Sequence, residues 1–291
     1  MNGVLGINKP PGFTSFDVVA KLRGILKVKK MGHAGTLDPM ATGVLPILIG
    51  KATKIFDLIP DEYKEYLADF QFGIETDTLD ITGQILKRTP AAVTINTINN
   101  VLPSFFGKVS QKVPAYSAVK IAGRKLYELA RKGLVHQTPS REVTITKLEI
   151  KEYGYQKQAG VLLVGCSAGT YIRSLVADIG EVCGCGAVLT GLVRLQSCGI
   201  KLEQTLNLDD IDVLIKNDKL AEKLIGIDTF FTEFDALSLS QQDTQHFLHG
   251  AKIPIATIKD ANLIKIYDAD GSFLGLGRST HGVLTVHKLL V

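Results

Sequence analysis

Residues 66–72 read Tyr66-Leu67-Ala68-Asp69-Phe70-Gln71-Phe72. Tyr66, Ala68, Phe70 and Phe72 occupy every second position, the side-chain period of an extended chain, so the run predicts a strand with one apolar face against a core. Toward the N-terminus, Val44 to Ile49 and Val4 to Asn8 read as two further strands, the latter followed by the turn Lys9-Pro10-Pro11-Gly12. Between them, Thr14-x-x-Asp17 has the form of a capping box, and Val18, Leu22 and Ile25 follow at helical spacing. Toward the C-terminus, helices are expected at Thr94 to Leu102, Arg124 to Lys132 and Thr170 to Cys183, and strands at Glu142 to Lys151, Val161 to Cys166 and Ala187 to Ile200. Strands outnumber helices without alternating with them, which predicts an α+β fold with a mixed, largely antiparallel central sheet and flanking helices. The acidic, Leu-rich stretch Leu202 to Phe234 reads as a helical boundary. Beyond it, Asp270-Gly271 and His281-Gly282 punctuate strand-like runs and mark a small β module.

A chain of 291 residues with 45% hydrophobic and 21% charged residues can bury a core without staples, which excludes disorder as its main state. Four cysteines, none in a C-x-x-C pair, favour a reducing compartment. The N-terminus lacks a basic segment followed by a long apolar one, and no run approaches a membrane span, so a soluble, cytoplasmic protein is expected. The net charge of +4 is too small to name a partner, but its distribution is uneven. Lys21 to Met31 holds five basic residues and no acid, and Ser104 to Lys147 holds nine basic residues against two acids. These stretches are either ordinary solvated faces or parts of one surface for a phosphate backbone.

The densest unusual stretch is Gly32-His33-Ala34-Gly35-Thr36-Leu37-Asp38-Pro39-Met40-Ala41-Thr42-Gly43. Its glycines let the backbone approach a ligand closely, and His33, Asp38 and the threonines supply reactive groups. An Asx turn at Asp38-Pro39 explains the composition equally well. A phosphate-binding loop is disfavoured, because six residues separate Gly43 from Gly50-Lys51 and Ala52 takes the position of the required hydroxyl.

Residues 32–43, continued by Val44-Leu45-Pro46, resemble the nucleophile motif of the TruB family of tRNA pseudouridine synthases. Four further segments agree in order and spacing: Asn8-Lys9-Pro10-Pro11-Gly12, Lys64-Glu65-Tyr66, residues 113–120 (Val-Pro-Ala-Tyr-Ser-Ala-Val-Lys), and Gly169-Thr170-Tyr171-Ile172-Arg173-Ser174-Leu175. The tail, with Phe247-Leu248-His249-Gly250 and residues 271–277, is similar to a PUA RNA-binding module. The resemblance implies a pseudouridine synthase fold over residues 1–232 and a short, β-barrel-like PUA domain over residues 233–291.

The same resemblance implies isomerisation of uridine 55 in the tRNA T loop, by base flipping onto Asp38 as nucleophile. It implies that Arg173 favours and aims the Asp38 carboxylate, and that Tyr66 stacks on the target base and assists proton removal. Tyr171 and Leu192 would contact the flipped nucleotide, His33 would enter the vacated RNA loop, and Lys9 and Pro10 would support the catalytic loop. No cofactor, metal or guide RNA is implied. The expected partner is the T-arm stem-loop of tRNA, bound by a monomer. Val193 departs from the pattern, standing where many members carry a second arginine before Arg194. A different class of reading makes the chain mainly a tRNA-folding, RNA-binding factor whose catalysis is secondary.

Overall fold

The structure, a computed structural model, describes residues 1–59, 63–121, 123–134, 138–255 and 257–291. The chain begins with β1 (Gly3–Lys9), α1 (Ser15–Leu26), β2 (Met31–His33), β3 (Thr42–Ile49) and β4 (Lys64–Phe72). A hairpin of β5 (Ile74–Thr76) and β6 (Ile85–Arg88) leads to α2 (Ile95–Val101) and β7 (Gly107–Lys112). A small hairpin, β8 (Lys120–Ile121) and β9 (Arg124–Lys125), precedes α3 (Leu126–Ala130). Then come β10 (Ser140–Gly154), β11 (Ala159–Cys166), α4 (Ile172–Val182), β12 (Ala187–Ser197), β13 (Ile200–Lys201) and α5 (Ile211–Lys216). The chain ends with β14 (Ala236–Ser238), α6 (Gln241–Leu248), β15 (Ile253–Pro254), β16 (Ala261–Tyr267), β17 (Phe273–Thr280) and β18 (Val283–Leu289).

The large sheet runs β1-β3-β12-β4-β11-β10-β7, with β2 on β3 and β13 on β12. All its pairings are antiparallel except β3 with β12, so the sheet is mixed and largely antiparallel, as the strand-rich pattern predicts. On β4 the alternation holds residue by residue: Tyr66, Ala68, Phe70 and Phe72 are buried, and Asp69 is exposed. That face packs with Ile172, Leu175, Val176 and Ile179 of α4 in one core cluster. Gly180 allows the helix to sit this close, because a Cβ there would lie 2.2 Å from the backbone nitrogen of Ala187 at the head of β12.

α1 is capped as its sequence predicts: the Thr14 hydroxyl accepts from the Asp17 N–H and the Asp17 carboxylate accepts from the Thr14 N–H. Such a cap contributes about 1 kcal/mol. Val18, Val19 and Leu22 then bury the helix on Leu5, Ile7, Leu45 and Ile47 of β1 and β3. The second sheet, β14-β16-β17-β18-β15, is the small C-terminal β unit, and its Leu276 and Leu290 join a core cluster with Val44, Leu48 and Ile55.

Four local expectations are corrected. The run Ala187 to Ile200 is a hairpin, not one strand, because Cys198 and Gly199 both take positive φ (51° and 73°). The helix expected over Arg124 to Lys132 is shortened to Leu126–Ala130 by the β8–β9 hairpin. The boundary stretch Leu202 to Phe234 is helical only in short pieces, of which α5 is the longest. Finally, β7 and α6 appear where no element is expected.

Candidate active site

The sheet register sets one row across three strands. Gly43 on β3 pairs with Arg194 on β12, and Arg194 pairs on its other side with Tyr66 on β4. Gly43 has φ +98°, and a Cβ there would lie 2.2 Å from the Arg194 carbonyl oxygen, so only glycine permits this approach. Residues 34–41 arch away from the row as a loop whose backbone is held at nearly every turn. Arg194, fully buried, donates to the carbonyls of Val44 (2.7 Å), Gly35 (2.9 Å) and Thr36 (3.5 Å). The Ser15 hydroxyl accepts from the Leu37 N–H (2.9 Å) and donates to the Leu37 carbonyl (3.3 Å). On the far side of Asp38, the Pro39 carbonyl accepts from the Gly12 N–H (2.8 Å) and from the Lys9 ammonium (3.2 Å). Lys9 also donates to the carbonyls of Pro10 and Phe13, and burial pulls its pKa down to about 8. Both neighbours of Asp38 are therefore pinned while its side chain stays 34% exposed.

Asp38 faces Arg173, which is delivered by the first turn of α4. Nε lies 2.9 Å from Oδ2 and Nη2 donates to Oδ1 at 3.1 Å, a parallel two-bond pairing that fixes the carboxylate plane. Nη2 also donates to the Tyr116 carbonyl (3.1 Å), and Nη1 to the Thr78 carbonyl (2.9 Å), with Asp80 Oδ2 at 3.7 Å. The guanidinium is thus surrounded by two carboxylates and two carbonyls, and the Arg173 side chain is only 6% exposed. The start of α4 is anchored by Gln111 of β7, whose amide accepts from the Tyr171 N–H (2.7 Å) and donates to the Tyr171 carbonyl (3.0 Å).

These groups surround a cavity of about 810 Å³ whose lining includes Asp38, Tyr66, Arg173, His33, Tyr171 and Leu192. All six residues singled out from the sequence thus converge on one concavity large enough for a nucleotide. His33 sits on β2, and its pKa is lowered, first by burial and then by Arg194, which favours the neutral imidazole; its Nδ1 has no partner among the described residues.

Residues 23–172 match the model of the TruB family pseudouridylate synthase N-terminal domain, and residues 236–290 match the C-terminal model of pseudouridine synthase II TruB. The chain belongs to the TruB family. The tRNA pseudouridine synthase B of Clostridium tetani is 38% identical over 296 residues, covering the whole of both chains. That of Gloeothece citriformis is 39% identical over 282 residues, covering 95% of this chain and 91% of its own. Among solved structures, a chain of an H/ACA ribonucleoprotein bound to a substrate RNA containing 2′-deoxyuridine superposes with a TM-score of 0.73 at 25% identity. It covers 99% of this chain and 85% of that one. A chain of a Cbf5-Nop10-Gar1 complex matches at the same TM-score, 26% identity and the same coverage.

Three residues that line or support this TruB-family cavity are given no role by the sequence: Asp80 and Tyr116 line it, and Arg194 holds the Asp38 loop beside it. Asp80 stands outside every motif quoted from the sequence, yet it is buried, and its Oδ1 accepts from Thr78 and Thr82, two residues away on either side. The pattern Thr-x-Asp-x-Thr is the available signal. Tyr116 supplies a carbonyl to Arg173 and donates its hydroxyl to Asp77 (3.1 Å); burial and then that carboxylate raise its pKa. Arg194 is legible only as a charge in an apolar alternating run, where burial demands partners.

Replacing Arg194 with methionine leaves the carbonyls of Val44, Gly35 and Thr36 without this donor. The variant is expected to lose about 3 kcal/mol of stability, a fall in Tm of roughly 6–12 °C for a chain of this size. Thermal denaturation measures it, and an unchanged Tm would contradict the loop-holding role.

The cavity also carries a recurring contact. The Arg141 guanidinium lies 5.5 Å from the Tyr171 ring, Arg131 lies 5.6 Å from Tyr127 with Lys125 at 5.4 Å, and Arg23 lies 5.7 Å from Phe16. All three aromatic rings line the cavity.

Proposed function

We propose that the chain is a tRNA pseudouridine synthase that isomerises uridine 55 of the T loop, with Asp38 as nucleophile. The observation that carries this reading is the pinned carboxylate of Asp38, paired through two bonds to a buried arginine and opening into a nucleotide-sized cavity. The reaction balances within the substrate: the bond from ribose C1′ to N1 breaks, a bond from C1′ to C5 forms, the C5 proton leaves and N1 gains one. No redox partner or activated group is needed, so a carboxylate nucleophile and a proton acceptor suffice. Arg173 holds Asp38 in one plane through the rearrangement. Tyr66 stacks on the flipped base and takes the C5 proton. Tyr171 and Leu192 close the walls on that base, and neutral His33 fills the RNA loop it leaves. Stacking worth about 1–3 kcal/mol offsets much of the few kcal/mol spent extruding the nucleotide.

The basic stretches Lys21 to Lys30 and Lys108 to Arg141 flank the Asp38 loop in sequence and contact the phosphates of the T arm. Residues 1–232 form the catalytic unit and residues 233–291 an RNA-binding unit of PUA type, a division supported by the separate family matches at 23–172 and 236–290. No helix among the described residues is long and apolar enough to cross a membrane, and the enzyme acts in the cytoplasm as a monomer without guide RNA. The full-length likeness to bacterial tRNA pseudouridine synthases supports the choice of a free tRNA substrate.

The test is a T-arm transcript carrying tritium at uracil C5, incubated with the purified chain alone. Tritium release is expected, and none from a transcript with cytidine in place of uridine 55. Absence of release from the first transcript, or equal release from both, would overturn the reading.

A further inference from the structure

Phe16 is the second residue of α1, and it is 60% exposed although the helix buries Val18, Val19 and Leu22 on its other side. Nothing in the fold calls for an aromatic ring there. It lies on the rim of the cavity beside Ser15, whose hydroxyl grips Leu37, so the ring is a fixed ledge next to the Asp38 loop. Arg23, two turns along the same helix, backs the ring at 5.7 Å. Its Nη2 donates to the Met31 carbonyl at 2.6 Å, and its Nε is buried without a partner among the described residues. The guanidinium is thus anchored to β2, the strand that carries His33, and braces the ring from one side.

We propose that Phe16, braced by Arg23, is a stacking ledge for a nucleobase of the substrate RNA lying outside the pocket of the reacting uridine; this rests on the synthase reading above. A flat aromatic face accepts any base, and a cation on the opposite face strengthens its hold. The occupant is nucleic acid because cations outnumber acids along this helix: its neighbouring acids are Asp17, whose carboxylate is held by Thr14, and Asp209, which is paired with Lys21. Lys21, Arg23, Lys27, Lys29 and Lys30 come from the same helix and the turn after it, with no acid between them. The ledge is a subsite distinct from Tyr66, which is buried on β4 at the cavity floor.

The experiment uses the full chain and T-arm RNAs carrying 2-aminopurine at single loop positions, with tritium release followed on the same sequence. Phe16→Ala is expected to raise KM by about 5- to 150-fold, the range of one lost base stack. It should also restore 2-aminopurine fluorescence at one loop position that the unaltered chain quenches. Phe16→Trp should keep both the KM and the quenching. Phe16→Leu, apolar but not flat, should behave like the alanine variant. Unchanged KM and fluorescence in Phe16→Ala, or a leucine variant indistinguishable from the unaltered chain, would overturn the ledge. Failure of the synthase reading would show separately, as absence of tritium release from the unaltered chain.

Discussion

Replacing Arg173 with lysine is expected to lower kcat about a thousandfold, equivalent to roughly 4 kcal/mol of barrier, while RNA binding persists. The charge is conserved, so the loss measures geometry. Arg173 spends Nε and one Nη2 hydrogen on the two oxygens of Asp38, and its remaining hydrogens on Tyr116, Thr78 and the direction of Asp80. A lysine ammonium has three hydrogens diverging from one point and cannot span both carboxylate oxygens and two carbonyls from separate loops. Asp38 would keep a positive neighbour and lose its plane. Single-turnover tritium release at saturating RNA, with RNA affinity measured in parallel, separates this from a binding defect. A lysine variant within tenfold of the unaltered rate would show that charge alone suffices.

The same contacts explain why the site tolerates a buried arginine at all. Its desolvation is offset by two carboxylates and two carbonyls that are themselves fixed, Asp80 by the threonines at either side and Asp38 through its pinned neighbours. The ion pair is thus a positioning device assembled from four chain segments, and it adds little to stability against an apolar replacement.

Much of this arrangement was legible in the sequence where the signal is local. The period-2 run 66–72 and the capping box at Thr14 are short-range patterns, and both elements form as read. The C-terminal helix α6 has only Thr244 and Phe247 buried, so its apolar periodicity is too thin to see; the Ser240–Asp243 cap is its one cue. β7 hides its inner face behind Gln111, a polar residue buried because it serves the backbone of Tyr171. The turn at Cys198-Gly199 is masked by a residue that seldom occupies positive φ. At the site, Asp38 and Arg173 lie 135 positions apart, and no pattern of spacing joins them. Their pairing was legible only through resemblance to a family, and Asp80, outside the quoted motifs, was not.

The largest effect is expected from Asp38→Asn. Asparagine preserves the size of the side chain and leaves the backbone bonds of the loop in place, including the one from the Ala41 N–H to the residue 38 carbonyl. It removes the charge that the proposed mechanism uses as nucleophile, and the other carboxylate among the described cavity residues, Asp80, is buried and committed to Thr78 and Thr82. The rate should fall by about 10⁴-fold or more. The decisive measurement is tritium release from C5-labelled T-arm RNA under single-turnover conditions, comparing the unaltered chain with Asp38→Asn at matched RNA occupancy. Release by the first and none above background by the second is the predicted result; release by the asparagine variant at the unaltered rate would contradict Asp38 as the reacting group.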